Sequence, residues 1–399
     1  MSLNNKKVLM VNDHIHFGGG GDAAFRLERK ILERAGCEVY TYSQSVSPEQ
    51  SKSDADIVFK DSPSRSVRKL GKFLGNPRQK KHFKAVLNRL RPDLVKLHLL
   101  SNYPGDMYAD LEPYYTIQML HGPNLFCATS WGAHKRDSTP CPQGIGVKCV
   151  KFGCIGVHEL PLHLNLSRRI NAHAKNNVNI FQSPSRQLAD TAEKLGFKPV
   201  EYFPLSVDPQ FEIVEPSYED NDKILYVGAL VEAKGVEFLI RAMPQVVKHR
   251  PLATLDIAGR GEDQSRLVRL VESIGMKKNI RFLGFQSRND VIKLYQKASV
   301  LVVPSIWREQ FGLVGPEALA CGVPCIGSDI GGIPEWLQNE KSGYLVPPRD
   351  SAAIADRLIK LLMNQALRAE FGIYGRDFVL KNFSATRFKD RVLGQLDNL

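Results

Sequence analysis

No run of about 18 apolar residues occurs anywhere in this 399-residue chain, which excludes a transmembrane helix. The opening Met1-Ser-Leu-Asn-Asn-Lys-Lys7 leads straight into a short apolar strand and lacks the apolar core of a secretory signal, so a cytoplasmic protein is expected. Low-complexity tracts and internal repeats are missing too, which sets aside disordered and solenoid architectures. Cysteine is sparse, with seven residues and no CxxC pair, so neither a disulfide framework nor a simple zinc knuckle is indicated. What remains is the composition of an ordinary globular protein, 43% hydrophobic and 24% charged. At this length two domains of about 200 residues are expected.

Acidic residues are absent from one stretch in particular. Between Arg65 and Arg91 stand Arg68, Lys69, Lys72, Arg78, Lys80, Lys81, Lys84 and Arg89, with no acid among them. The formal charge of +12 is therefore concentrated in the first half of the chain. Leu70, Phe73 and Leu74, then Phe83, Val86, Leu87 and Leu90, recur at helical spacing on either side of Gly75-Asn-Pro77. Two basic amphipathic helices suit an anionic membrane surface or a phosphate-bearing acceptor. A solvated helix face packed on a sheet is the alternative.

Short apolar runs alternate with helical periodicity along the whole chain, which implies parallel strands with crossover helices. In the first half the strands read as Lys7–Asn12, Glu38–Tyr42, Asp93–Leu99, Tyr115–Leu120 and Asn177–Gln182. A glycine loop, Gly18–Gly21, precedes a helix over Asp22–Ala35. The Pro-, Ser- and acid-rich residues 204–222 read as a linker. Beyond it, strands at Lys223–Val227, Ala253–Ala258, Asn279–Leu283, Val300–Val303 and Pro324–Ile326 repeat the pattern. Ligands of such sheets bind beyond the carboxyl ends of the strands.

Glu309 and Glu317 are the most telling residues. They fall in Arg308-Glu-Gln-Phe-Gly-Leu-Val-Gly-Pro-Glu317, after the apolar run that ends at Pro304. Pro316 suits the first turn of a helix, so Glu309 lies in a glycine-containing loop and Glu317 at a helix start. Two carboxylates beside free N–H groups offer acceptors for sugar hydroxyls and donors for phosphate. A helix-dipole acid and an ordinary loop glutamate would read the same way.

Around this element stand Val227-Gly-Ala-Leu-Val-Glu-Ala-Lys-Gly235, Asp256-Ile-Ala-Gly-Arg-Gly-Glu262, Ile280-Arg-Phe-Leu-Gly284, Ala320-Cys-Gly-Val-Pro-Cys-Ile-Gly-Ser328 and Gly331-Gly-Ile-Pro-Glu335. The ordered set resembles glycosyltransferase family 4. That resemblance implies a GT-B fold, two Rossmann-like α/β domains facing a central cleft. It implies an acceptor-binding domain over residues 1–204, a sugar-nucleotide domain over 205–383, and a C-terminal helix, about 384–399, packing back on the first. The activity implied is retaining transfer of a sugar from a UDP- or GDP-sugar to a glycan or lipid-linked acceptor, as in surface polysaccharide biosynthesis.

The resemblance assigns catalytic roles to His121, Glu309 and Lys234, the last neutralising the leaving diphosphate. It assigns donor contacts to Gly20, Gly21, Gly228, Lys234, Arg260, Phe282, Glu309, Phe311, Gly312, Leu313 and Glu317, with Glu317 on the ribose. Ala229 replaces an arginine that the family usually carries, and Arg260 is the candidate substitute. His98 reads as a structural histidine beside His121. No metal is implied for the chemistry.

Cys127, Cys141, Cys149 and Cys154 fall within 28 residues, at C-x13-C-x7-C-x4-C. A structural zinc site and free thiols both fit this spacing. A sugar-nucleotide 2-epimerase of the same fold, and a non-catalytic basic membrane or nucleic-acid adaptor, are the rival functions. The epimerase lacks the paired glutamates. The adaptor leaves them unexplained, and nucleic acid is not an expected partner. Association with the inner face of a membrane through residues 65–91 is expected to accompany a lipid-linked acceptor.

Overall fold

The computed structural model describes residues 5–13, 20–45, 55–62, 64–100, 103–130, 132, 134, 139, 141, 143–219 and 221–398. Two compact units divide the chain, residues 1–204 with 388–399, and residues 205–387.

The first unit is a seven-stranded parallel sheet. Its strands are β1 (Lys7–Val11), β2 (Glu38–Ser45), β3 (Ile57–Lys60), β4 (Leu94–Leu97), β5 (Thr116–Met119), β6 (Ile180–Ser183) and β7 (Val200–Tyr202), in the order β3-β2-β1-β4-β5-β6-β7. Strand order reverses between β1 and β4, which is where open α/β sheets hold ligands. β4 is buried on both faces, as a central parallel strand must be.

Three helices of this unit matter for function: α1 (Gly20–Arg34), α2 (Arg65–Leu74) and α3 (Pro77–Leu90). Ser64 caps α2 through its side chain, and Asn76 caps α3 with Pro77 in the first turn. Gly20 and Gly21 open α1 instead of forming a turn before it. Gly18 and Gly19, the other half of the expected glycine loop, lie outside the described residues.

The second unit is a six-stranded parallel sheet. Its strands are β8 (Lys223–Val227), β9 (Thr254–Ala258), β10 (Ile280–Gly284), β11 (Val300–Val303), β12 (Cys325–Ser328) and β13 (Gly343–Val346), in the order β10-β9-β8-β11-β12-β13. Here the order reverses between β8 and β11. Ile224, Tyr226, Leu255, Ile257, Val300 and Val302 meet Leu239, Met243, Leu358 and Leu361 in one apolar core. The stretch expected as a linker is ordered onto this unit. Asp208 caps a short helix over Pro209–Glu212, and Phe211 is buried.

No helix among the described residues is long and apolar enough to cross a membrane.

Candidate active site

The two loops that leave the reversal point of the second sheet carry Lys234 and Glu309. Lys234 ends a single turn of 3-10 helix after β8, and its Nζ lies 2.5 Å from Glu309 Oε1. Ser305 donates its hydroxyl to the same oxygen at 2.7 Å. Glu309 is buried at 5% exposure. Burial works against its charge, but Lys234 and the Ser305 hydroxyl outweigh that, and its pKa lies below the usual carboxylate range.

Two glycines let these loops close. Gly235 has φ +63°, and a β-carbon there would sit 2.0 Å from the Pro304 carbonyl oxygen. Gly331 has φ +65°, and its β-carbon would sit 2.3 Å from the Glu309 carbonyl oxygen. Neither position accepts a side chain without moving backbone.

Phe311, Gly312 and Leu313 continue the loop into a helix over Val314–Ala320. That helix starts two residues before Pro316, so Glu317 occupies its fourth position. Trp336 is fully buried beneath the loop and donates its indole N–H to the Phe311 carbonyl at 2.5 Å. The Phe311 and Gly312 amides have no acceptor among the described residues. Burial pushes the Glu317 carboxyl up to about 7, only partly countered by Arg288.

The remaining donor candidates sit at the same end of the sheet with less to distinguish them. Gly228 donates to the Ala258 carbonyl at 3.0 Å, joining the ends of β8 and β9. Arg260 is exposed just past β9. The Phe282 side chain is partly buried against the core of this unit. Ala229 contributes a carbonyl that accepts from the Tyr226 hydroxyl at 2.8 Å.

In the first unit, the reversal point between β1 and β4 gathers a buried polar cluster. His121 follows β5, and its Nε2 lies 3.0 Å from His98 Nδ1. A β-carbon on Gly21 would lie 3.2 Å from His121 Nδ1, so Gly21 and His121 are neighbours. Behind His98 stands Glu28 of α1, with Oε2 3.4 Å from His98 Nε2. The other Glu28 oxygen lies 2.8 Å from Lys96 Nζ. Lys96 also donates to Gln182 at 2.9 Å and Gln395 at 2.5 Å. Burial drives the His121 pKa down to about 3, helped by His98. His98 is likewise held well below its ordinary value by burial and by Lys96.

Glu28, Lys96, Gln182 and Gln395 did not stand out in the sequence. One signal was there: Lys96 and His98 share a face of an otherwise apolar strand, and a buried charge demands a partner.

Cys127, Cys141, Cys149 and Cys154 all line one cavity of about 20 Å³, beside His134, Phe126 and Phe152. None is in a disulfide. As they stand, no three His, Cys, Asp or Glu side chains among the described residues are gathered closely enough to hold a metal ion.

The basic stretch splits into two unlike helices. α3 buries Phe83, Val86, Leu87 and Leu90 in the core of the first unit. α2 buries Phe73 but turns Val67, Leu70 and Leu74 outward, each more than half exposed.

The fold is GT-B, two Rossmann-like α/β units in one chain. Sucrose-phosphate synthase from Thermosynechococcus elongatus has the same architecture, with a TM-score of 0.75 at 22% identity, covering 99% of this chain and 98% of that one. Residues 208–378 match the family model for Glycosyl transferases group 1. An uncharacterized glycosyltransferase of Methanocaldococcus jannaschii is 37% identical over 172 residues, 41% of this chain and 44% of that protein. An N-acetyl-alpha-D-glucosaminyl L-malate synthase of Bacillus anthracis is 32% identical over 174 residues, 43% of this chain and 45% of that protein. The match therefore spans less than half the length of these curated relatives and falls short of the whole chain.

Proposed function

We propose that this protein is a retaining glycosyltransferase that moves a sugar from a nucleotide-sugar donor, UDP- or GDP-linked, to a glycan or lipid-linked acceptor. The observation that carries this reading is the Lys234–Glu309 pair at the strand reversal of the second sheet, next to the Phe311 and Gly312 amides, which have no acceptor among the described residues. A lysine there neutralises charge on a departing diphosphate. A buried carboxylate beside it accepts from sugar hydroxyls, and the amides donate to phosphate or sugar oxygen. Lys234 supplies the cationic charge, so a chelator is expected to leave initial turnover unchanged. His121 accepts from or donates to a sugar hydroxyl, and substitution proceeds on the front face through an ion-pair-like state.

Screening UDP-, GDP- and ADP-sugars by thermal shift tests donor binding, since ligand at 100 times its dissociation constant stabilises by about 2.7 kcal/mol. The anomeric configuration of the product then tests retention. A free epimerised sugar nucleotide as sole product supports the 2-epimerase instead. Absence of any donor binding or turnover removes the enzyme reading.

Glu317 is proposed to accept the two ribose hydroxyls, which it does only when ionised. With its pKa near 7, it is mostly protonated at pH 6 and mostly ionised at pH 8. Donor affinity is expected to rise about ten-fold across that range. The raised value also means that Glu317 favours the folded state at low pH, a contribution lost between about pH 4.5 and 7. Titration calorimetry at both pH values checks the binding rise. Persistence of the same rise in Glu317→Gln would reject the assignment.

The four-cysteine cavity is proposed to take one structural Zn²⁺, with the thiols closing on it. A space of about 20 Å³ admits one water-sized body, and four sulfur ligands suit zinc. Metal analysis is expected to find about one zinc per chain, and Cys141→Ser or Cys149→Ser to lose it. Metal-free protein with a protected loop in hydrogen exchange would leave simple thiols.

The outward ridge of α2, Val67, Leu70 and Leu74, flanked by Lys69 and followed by Arg78 and Lys81, is proposed to bind an anionic membrane face. Each cation near such a surface contributes about 1 kcal/mol, less with added salt. Sedimentation with anionic vesicles is expected for the native chain and to be lost in Leu70→Ser/Leu74→Ser. Equal sedimentation with neutral vesicles, or no loss in the variant, would mark the ridge as ordinary surface.

A further inference from the structure

Sugar recognition by His121 depends on which ring nitrogen carries the proton, and the buried cluster behind it decides that. From the geometry we infer that Glu28, acting through His98, fixes His121 as the Nε2–H tautomer and so presents its Nδ1 as a hydrogen-bond acceptor on the Gly21 side. The inference rests on the proposed transferase reading for its purpose, but not for the tautomer itself.

The order of protons is set from the carboxylate outward. Glu28 Oε2 lies 3.4 Å from His98 Nε2, an oblique contact that is longer than a full hydrogen bond. A bare ring nitrogen would there set its lone pair against an anion, whereas an N–H is attracted, so His98 carries its proton on Nε2. His98 Nδ1 is then an acceptor, and among the described residues the group that satisfies it is His121 Nε2–H, at 3.0 Å. His121 Nδ1 then carries the lone pair.

Both rings are neutral at working pH, because burial disfavours the charged imidazolium and Lys96 repels it from His98. Neutrality is what makes the chain of donors directional, since a charged ring would donate at both ends. Lys96 also holds the other Glu28 oxygen at 2.8 Å, and Phe25 packs edge-on against His98 with ring centroids 4.9 Å apart. These contacts leave the carboxylate and the imidazole little freedom to rotate.

The chemical consequence is selective. An acceptor nitrogen takes a hydroxyl donor and rejects a phosphate oxygen, so a sugar O–H belongs beside Gly21 and His121. Glu28 and His98 are positioning residues, with no contact to substrate required of either.

Glu28→Gln gives a nearly isosteric reversal. Lys96 retains the amide oxygen, which turns the NH₂ toward His98 Nε2, so the proton shifts to His98 Nδ1 and then to His121 Nδ1. Nitrogen-15 NMR of the histidine side chains in the full chain reads this directly. The native protein is expected to show His121 protonated at Nε2 at pH 7, and Glu28→Gln to show it protonated at Nδ1. A native Nδ1–H tautomer, or a folded Glu28→Gln with the native tautomer, overturns the proposal.

If Glu28→Gln does not fold, His98→Leu decides. A mixture of His121 tautomers supports the proposal, and a single unchanged Nε2–H tautomer overturns it. Transfer assays separate the two readings. Inverting the tautomer is expected to lower kcat at least ten-fold, with affinity for the free nucleotide, which lacks the sugar, unchanged. If the spectra follow expectation but no sugar nucleotide binds or turns over, the transferase reading fails while the relay stands.

Discussion

Glu309→Ala is expected to lower sugar transfer about 10²–10³-fold, the scale of losing one preorganised electrostatic contact at a reacting centre. Nucleotide affinity should stay within about three-fold, because Glu309 is assigned to the sugar and Glu317 to the ribose. The choice of residue matters, because Lys234 and Glu309 are not equivalent partners. Lys234 keeps a quarter of its side chain in solvent, while Glu309 keeps 5%. Removing the glutamate leaves a lysine that water can solvate. Removing the lysine strands a buried carboxylate without its cation and confuses loss of function with loss of structure. Single-turnover transfer with a sugar-nucleotide donor, beside calorimetry with the free nucleotide, separates the two effects. Native turnover in Glu309→Ala would remove that residue from the chemistry.

Most of the sheet architecture was legible in the sequence, because parallel strands buried on both faces leave apolar runs that solvent cannot disguise. Val300–Val303 has the same bounds in both readings. The strands that went unread are short or lie at sheet edges. β3, β7 and β13 all lie at sheet edges, and β3 and β7 are only partly buried, so they lack the continuous apolar run of the central strands. The helix start at Gly20 was hidden by glycine itself, which reads as a turn wherever it clusters.

The candidate site divides in the same way. Lys234 and Glu309 were visible as members of an ordered motif, and the structure brings them together. Of the cluster behind His121 only His98 was visible, because the other members, Glu28, Lys96, Gln182 and Gln395, are scattered from α1 to the C-terminal residues. Only pairing in space distinguishes Glu28 from the solvated acids of a surface helix. The basic stretch shows the opposite failure. Its even periodicity suggested two like helices, but burial separates α3, which packs into the core, from α2, which turns Val67, Leu70 and Leu74 outward.

That buried cluster sets the largest expected change in stability. Lys96 and Glu28 each show 1% side-chain exposure, and Lys96 Nζ serves Glu28, Gln182 and Gln395 together. Lys96→Met keeps the volume and deletes the charge, leaving an uncompensated carboxylate in the interior of the first unit. The expected cost is about 3–5 kcal/mol. A two-unit chain does not unfold in one step, so a global midpoint would blur this. Hydrogen exchange of the β4 and β5 amides reports the first unit alone and is the measurement to make. Glu28→Met/Lys96→Met should recover most of the loss, because a well-packed apolar pair in place of a buried ion pair is often neutral or better. Recovery will be incomplete, since the Gln182 and Gln395 oxygens still lack a donor, at about 1–3 kcal/mol for each that stays dry. A single variant as stable as the native chain would mean that water reaches Glu28. A double variant no better than the single would place the cost in the orphaned glutamines and not in the carboxylate. Recovery of most of the stability with transfer still impaired would show that the ion pair is kept for what it does to His98 and His121, and not for holding the first unit together.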